Sequence, residues 1–232
     1  MARAAPPIAR AGRAWAAAAL LAAAGCAAPN LSRTVGRGNW ELHVSHGGPL
    51  LRPPGWPPVP FGHTHIGGRY GLSDRVDLDG NLNLLPLGVG LLQVDTAVVL
   101  QIFRRPRRLA VSASARLAGI FDLDDPPAAR LFTEWGLHVG RPLGRFVHPY
   151  GGLLLTNPLT VRTADLPPSF LTPFAGLEFL LPPRRGRQHG LAVHVAWTNP
   201  WVDSDAVVDY APPMGALAVY LGYRVRFGGL DR

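Results

Sequence analysis

The chain has no lysine: all 23 basic residues among its 232 positions are arginine, set against 15 acids. It has one cysteine, Cys26, which excludes an internal disulfide. Charged residues make up 16% of the chain, well below the roughly 25% usual in soluble domains. There is no G-x-S-x-G elbow, no H-E-x-x-H helix, no glycine-rich phosphate loop and no C-x-x-C pair, so the classes of enzyme that carry strong signatures are not indicated. No stretch keeps helical periodicity for ten residues or more, and no apolar run approaches the roughly 20 residues of a membrane helix. The net charge of +8 raises a nucleic-acid partner. The arginines, however, sit in short turns and at alternating strand positions, without the basic, aromatic-interleaved stripe of single-strand binders, and no nucleic-acid partner is expected.

What is present begins at the N-terminus. Residues 1–13 carry Arg3, Arg10 and Arg13 and no acid, and the run 14–24 is apolar and mostly alanine. At about eleven residues it reads as the core of a secretory signal peptide, so residues 1–25 are expected to be removed. Cys26 follows directly, in the setting Leu20-Leu21-Ala22-Ala23-Ala24-Gly25-Cys26. This resembles a bacterial lipobox, with Ala23 where that family prefers leucine. The resemblance implies that Cys26 is lipidated, palmitate included, and becomes the mature N-terminus. With Ala27 and no acid after it, the resemblance points to the outer membrane. Ordinary cleavage would instead leave an unpaired thiol in an oxidising compartment. Residues 26–37 are then a lipidated tether, and 38–232 a single β domain.

The other end is the most patterned. Residues 216–227, ALAVYLGYRVRF, alternate strictly. Leu217, Val219, Leu221, Tyr223, Val225 and Phe227 lie on one face, and Ala218, Tyr220, Gly222, Arg224 and Arg226 on the other. Gly222, Val225 and Phe227 resemble the C-terminal signal strand of bacterial outer-membrane β-barrels, although Gly228 to Arg232 run on past the usual terminal aromatic. The resemblance implies insertion by the barrel assembly machinery and outer-membrane lipid as surroundings.

Between the ends the dominant signal is period two broken by Gly, Pro and Asp, which predicts an all-β chain of about 8–10 strands. The segments fall near 38–45, 62–72, 75–85, 90–103, 108–120, 130–140, 146–156, 170–181, 189–198 and 214–227. The connections alternate between short turns, such as Ser73-Asp74 and 141–145, and longer stretches richer in proline and acid, such as 46–61, 122–129, 157–169 and 199–213. Short turns on one rim and long loops on the other describe an up-and-down membrane barrel, with both chain ends on the short-turn, periplasmic rim. A soluble, lipid-anchored β-sandwich is the alternative. Two features favour the barrel. Polar residues oppose the apolar face: Asp77, Asp79, Gln93, Asp95, Gln101, Arg116, Glu134, His138, Glu178, Arg224 and Arg226. Aromatics, Trp40, Tyr70, Trp135, Trp197, Tyr223 and Phe227, are read near outward strand ends.

Chemistry is less defined. His63 and His65 share a strand face, and with His43, His138, His194 and Glu134 they would make a zinc site only if they met at one height. Asp203, Asp205 and Asp209, with His46 or His63, offer a hydrolase arrangement at the outer rim, and Asp124 and Asp125 form another acidic pair, all without a motif around them. No catalytic residue, metal or cofactor is assigned. About ten strands leave an interior mostly filled by side chains, which disfavours an open channel. Asp77, Asp79, Asp95, Arg116, Glu134, His138, Glu178, Arg224 and Arg226 are expected to form a polar network in the lumen. The function this supports is structural or interactive, with 46–61 and 199–213 as contact surfaces for an extracellular or envelope ligand. A rim hydrolase and a narrow pore are the alternatives.

Overall fold

The computed structural model describes residues 30–105, 108–123, 129–160, 168–203 and 209–228. Strands account for most of them: β1 (Trp40–Leu51), β2 (Val59–Pro60), β3 (His63–Gly71), β4 (Val76–Asn83), β5 (Leu91–Arg104), β6 (Ala110–Asp122), β7 (Ala129–Gly140), β8 (Val147–Pro158), β9 (Phe170–Leu180), β10 (Arg187–Asp203) and β11 (Met214–Phe227). Among the described residues the only helix is one 3₁₀ turn, Pro86–Val89. Each long strand pairs antiparallel with its chain neighbours, and β11 returns to pair with β1 from Trp40↔Phe227 to Pro49↔Ala218. Ten strands therefore close a ring, with β2 a short flap on the end of β1. Closure leaves no strand edge in the wall, so its backbone groups bond within the ring.

Tight turns shape one rim, called here the lower. Ser73 Oγ accepts the N–H groups of Arg75 and Val76 at 3.2 and 3.0 Å between β3 and β4. Between β9 and β10, Arg185 (φ 51°) and Gly186 (φ 72°) form a two-residue turn closed by reciprocal Arg184–Arg187 backbone bonds of 2.9 and 3.0 Å. Two successive positive φ values match the primed hairpin turn, whose twist suits the flanking strands. The longer connections lie on the upper rim, and the even strand number returns both described chain ends to the lower one.

The polarity of the wall is inverted relative to a soluble protein. The largest fully buried side chains include Arg69, Glu41, Glu178, Asp77 and Asp79, whereas Leu42, Ile66, Leu100, Leu137, Leu191 and Leu221 are exposed on the outer face. In water that arrangement would forfeit the hydrophobic term and desolvate the ions. A hydrocarbon surrounding removes the first penalty, and pairing inside the ring meets the second. Even strand count, closed antiparallel ring, two unequal rims and an apolar outer band together are the architecture of an outer-membrane-type β-barrel. The sandwich alternative fails because the strands form one closed ring.

Several boundaries differ from the sequence reading. β1 continues past residue 45 to Leu51, so the stretch 46–61 opens as strand, with His46 to Pro49 paired to both or one of their neighbours. Asn157-Pro158 and Asn199-Pro200 lie inside β8 and β10, not in turns; Asn199 takes φ 47° at an irregularity between Thr198 and Asp203. Pro149 and Pro173 stand one residue outside the β7–β8 and β9–β10 pairings, where a missing donor costs least. Trp40, Tyr70 and Phe227 gather at the lower rim, with Trp40 and Tyr70 ring centroids 4.4 Å apart. Trp135, by contrast, sits mid-wall opposite Ala115 and Leu155, away from any strand end.

The wall yields a direct test. Leu221 is 63% exposed at the middle of β11. Leu221→Arg is expected to destabilise the barrel by about 2–4 kcal/mol, the cost of a cation at the bilayer midplane, measured by reversible denaturant unfolding in lipid vesicles.

Candidate functional site in the barrel lumen

Strand pairing sorts the inward side chains into rows. Following paired positions from β11 through β8 gives Arg226, Glu41, Arg69, Asp79, Ala97, Arg116, Glu134 and Thr156. The signs alternate wherever a charge is present. Arg69 Nη2 lies 3.4 Å from Glu41 Oε1, its Nε 3.8 Å from Asp79 Oδ1 and its Nη1 4.0 Å from Asp77 Oδ2. Arg116 reaches Asp79 at 3.0 Å and Glu134 at 3.3 Å, and also pairs with Asp95. Glu41 accepts from Arg224 at 2.5 Å and Arg226 at 3.4 Å, and Arg224 pairs in turn with Glu178. A buried ion is tolerable only when matched and hydrogen-bonded.

A second row, Gly140, Tyr150, Gly176, His194, Tyr220, Gly47 and His63, sets four rings among three glycines. A Cβ on Gly176 would come within 2.3 Å of the Tyr150 ring. The absent side chain of Gly176 is therefore the space into which the Tyr150 ring leans, while Gly140 makes room for Ser32 of the N-terminal segment. Phe174 joins them, 5.2 Å from His194 centroid to centroid. Gly67 plays the same part between His43 and Asn81, whose Nε2···Oδ1 contact of 2.6 Å crosses the strand where a Cβ would stand.

The lower mouth is closed by the chain's own N-terminal segment. Residues 30–35, read from sequence as part of a tether, run instead inside the barrel, with Asn30, Leu31, Ser32, Thr34 and Val35 all buried. This strap is held at many points. Asn30 donates to Glu178 (3.1 Å), Ser112 to the Leu31 carbonyl (2.6 Å) and Gln101 to the Ser32 carbonyl (3.1 Å). The Thr34 N–H donates to Gln101 (3.0 Å) and that of Val35 to Asp77 (2.8 Å).

The structure places the sequence-named lumen residues as follows. Asp77, Asp79, Arg116, Glu134, His138, Glu178, Arg224 and Arg226 are buried on the inner face and Asp95 is half-buried there. The ion pairs above join all of them except His138, which meets Ser114 Oγ at 2.9 Å. Gly222 faces inward, and Val225 and Phe227 lie on the opposite parity. Glu41 was not among the named residues despite touching three arginines; its parity with His43 on β1 was the signal for it. The histidines do not gather. His43 bonds Asn81, His63 bonds Asn83 (3.0 Å), His138 bonds Ser114 and His194 meets Tyr150 (3.3 Å). His63 and His194 share one row with Gly47 and Tyr220 between them, His43 and His138 stand on other rows, and no group of three or more His, Cys, Asp or Glu among the described residues is placed to hold a metal.

At the upper rim, His46 pairs with Thr64 (2.9 Å). The two stretches named as contact surfaces join: the Arg52 N–H donates to the Asp209 carbonyl and that of Ala211 to the Leu50 carbonyl, each at 2.8 Å. Tyr210, bridged to Leu51, is buried in this lip, and burial pushes its phenol up to about 12. Trp56 and Trp201 remain exposed beside it, at 70% and 57%. Cys26, Arg107, Asp124, Asp125 and Asp205 lie outside the described residues.

No protein-family model matches the chain, and no curated protein matches it. Among solved structures it is similar to the NanC porin (12% identity over 81% of this chain and 100% of that one, TM-score 0.45). It is also similar to an outer membrane channel from Pseudomonas putida F1 (10%, 86% and 99%, TM-score 0.43) and to a bacterial polysaccharide outer membrane secretin (11%, 85% and 100%, TM-score 0.39). The class assignment rests on the ring and its polarity.

Two substitutions probe the packing of the lumen. Glu41→Gln leaves three guanidinium groups short of one carboxylate and is expected to cost about 3–5 kcal/mol of unfolding free energy in micelles. Gly176→Val drives a side chain into the Tyr150 ring and is expected to cost about 1–3 kcal/mol, whereas Gly176→Val combined with Tyr150→Leu should recover part of that loss in the same assay.

Proposed function

We propose that the protein is a lipid-anchored outer-membrane β-barrel with a structural or contact role, its lumen closed by its own side chains and its upper lip serving as the contact surface. The observation that carries this reading is the filled lumen: a charge-paired row, a ring-and-glycine row and the N-terminal strap share the inside of one cylinder. The cavity beside Tyr150, His194 and Tyr220 has a volume of only about 20 Å³, close to the minimum for one water. A narrow pore, the competing reading, would need a continuous water path past Glu41, Arg69 and the strap.

The Cys26 anchor fits the position of the strap. Asn30 is held at the lower mouth, and four residues of chain span at most about 14 Å, so a lipid on Cys26 would lie near the lower rim. That rim faces the periplasm in this reading, and the barrel assembly machinery and membrane lipid are the expected partners. The exposed Trp56 and Trp201 support the lip as a place where an envelope or extracellular partner docks.

Fractionation tests the reading. The protein is expected in the outer-membrane fraction, to migrate differently before and after boiling, to incorporate labelled palmitate that Cys26→Ala abolishes, and to give no steady conductance in planar bilayers. Recovery in the soluble fraction after Cys26→Ala with no heat shift would overturn the barrel's membrane placement, and stable single-channel currents would replace the contact role with a pore.

A further inference from the structure

The lower mouth retains a concavity of about 190 Å³ between the strap and the wall, several times the roughly 30 Å³ a water occupies in the liquid. Its charged lining comes from separate parts of the chain: Arg33 of the strap, Arg145 of the β7–β8 turn, His148 of β8, Glu178 of β9, and Arg224 and Arg226 of β11. Four arginines thus face one carboxylate. Glu41, behind them, is shared among Arg69, Arg224 and Arg226. Arg224 and Arg226 are only 8% and 7% exposed, and their guanidinium groups are set in place by Glu41 and, for Arg224, by Glu178. Arg33 is held by donation to the Arg108 carbonyl at 2.9 Å.

The buried guanidinium groups of Arg224 and Arg226 are matched by Glu41 and Glu178, and the lining as a whole carries more basic than acidic side chains. Several guanidinium groups lining one concavity suit an oxyanion that accepts from more than one of them. We propose that the lower mouth is an anion-binding vestibule that takes a phosphate group, with Arg145 and the strap's Arg33 completing a site whose base is Arg224 and Arg226. The phosphate is that of a free ion or of a phospholipid headgroup. The strap thereby has a second role: it closes the lumen and supplies one wall of the site.

The test uses the full mature barrel in non-ionic micelles, so it depends neither on lipidation nor on cellular location and separates from the experiments on the proposed function. Inorganic phosphate is titrated calorimetrically at low salt, and phosphatidylglycerol is added to parallel samples. Arg145 is exposed and Arg33 half-buried, and heat-modifiable mobility checks that each variant is folded. Saturable binding of phosphate is expected, weakened at least ten-fold by Arg145→Gln and by Arg33→Gln and unchanged by Arg184→Gln in the β9–β10 turn. Binding of phosphatidylglycerol alone, with the same dependence on Arg145 and Arg33, upholds the vestibule and assigns it to a headgroup. Binding of neither, or equal loss in Arg184→Gln, overturns it.

Discussion

A guanidinium with no exposed surface, Arg69, lies in the lumen of this barrel, and the side chains around it are arranged to make it tolerable. Its neighbours along the row are Glu41 and Asp79, whose outer partners are Arg226 on one side and, beyond Ala97, Arg116 on the other. Glu41 answers three arginines and Asp79 two, so neither can be changed without disturbing several partners. The energetic character of such a network is asymmetric: well-packed apolar residues would serve about as well, whereas a half-made network is far worse than either. The lumen is consequently a cooperative unit, and the wall closes around it in one register.

That dependence sets two kinds of row against each other. The charged row requires arms long enough to reach the neighbouring strands, and arginine and glutamate provide them. The ring row requires the opposite, bulky groups beside vacant positions, and Gly176 provides such a vacancy for Tyr150. Setting small residues beside large ones is how a small barrel fills its section without straining rotamers.

Much of this was legible in the chain because a β-strand reports its two faces by parity alone. Knowing that Leu221 faces out determines that Gly222 and Arg224 face in, and all ten wall strands could be found this way. What parity does not report is partnership. The inward position of Arg69 is a local property, but its contact with Glu41 depends on register between strands. The strap escaped altogether because 30–37, Asn-Leu-Ser-Arg-Thr-Val-Gly-Arg, has no period and no strand to belong to; its order comes from Gln101, Ser112, Asp77 and Glu178, which lie up to 148 residues away. The extension of β1 through Gly47 and Gly48 was hidden for a related reason, since glycine and proline there signal a turn locally while the close approach of the Val219 carbonyl to Gly47 and of the Phe61 carbonyl to Gly48 leaves no room for a side chain.

The strap also carries a consequence for the order of events. Its hydrogen bonds go to β4, β5, β6 and β9, so its receptor exists only once the sheet is complete to β9 and has curved into a tube. A segment that leaves the ribosome before any strand is thus among the last to be fastened. Synthesis runs from strap to wall and locking from wall to strap.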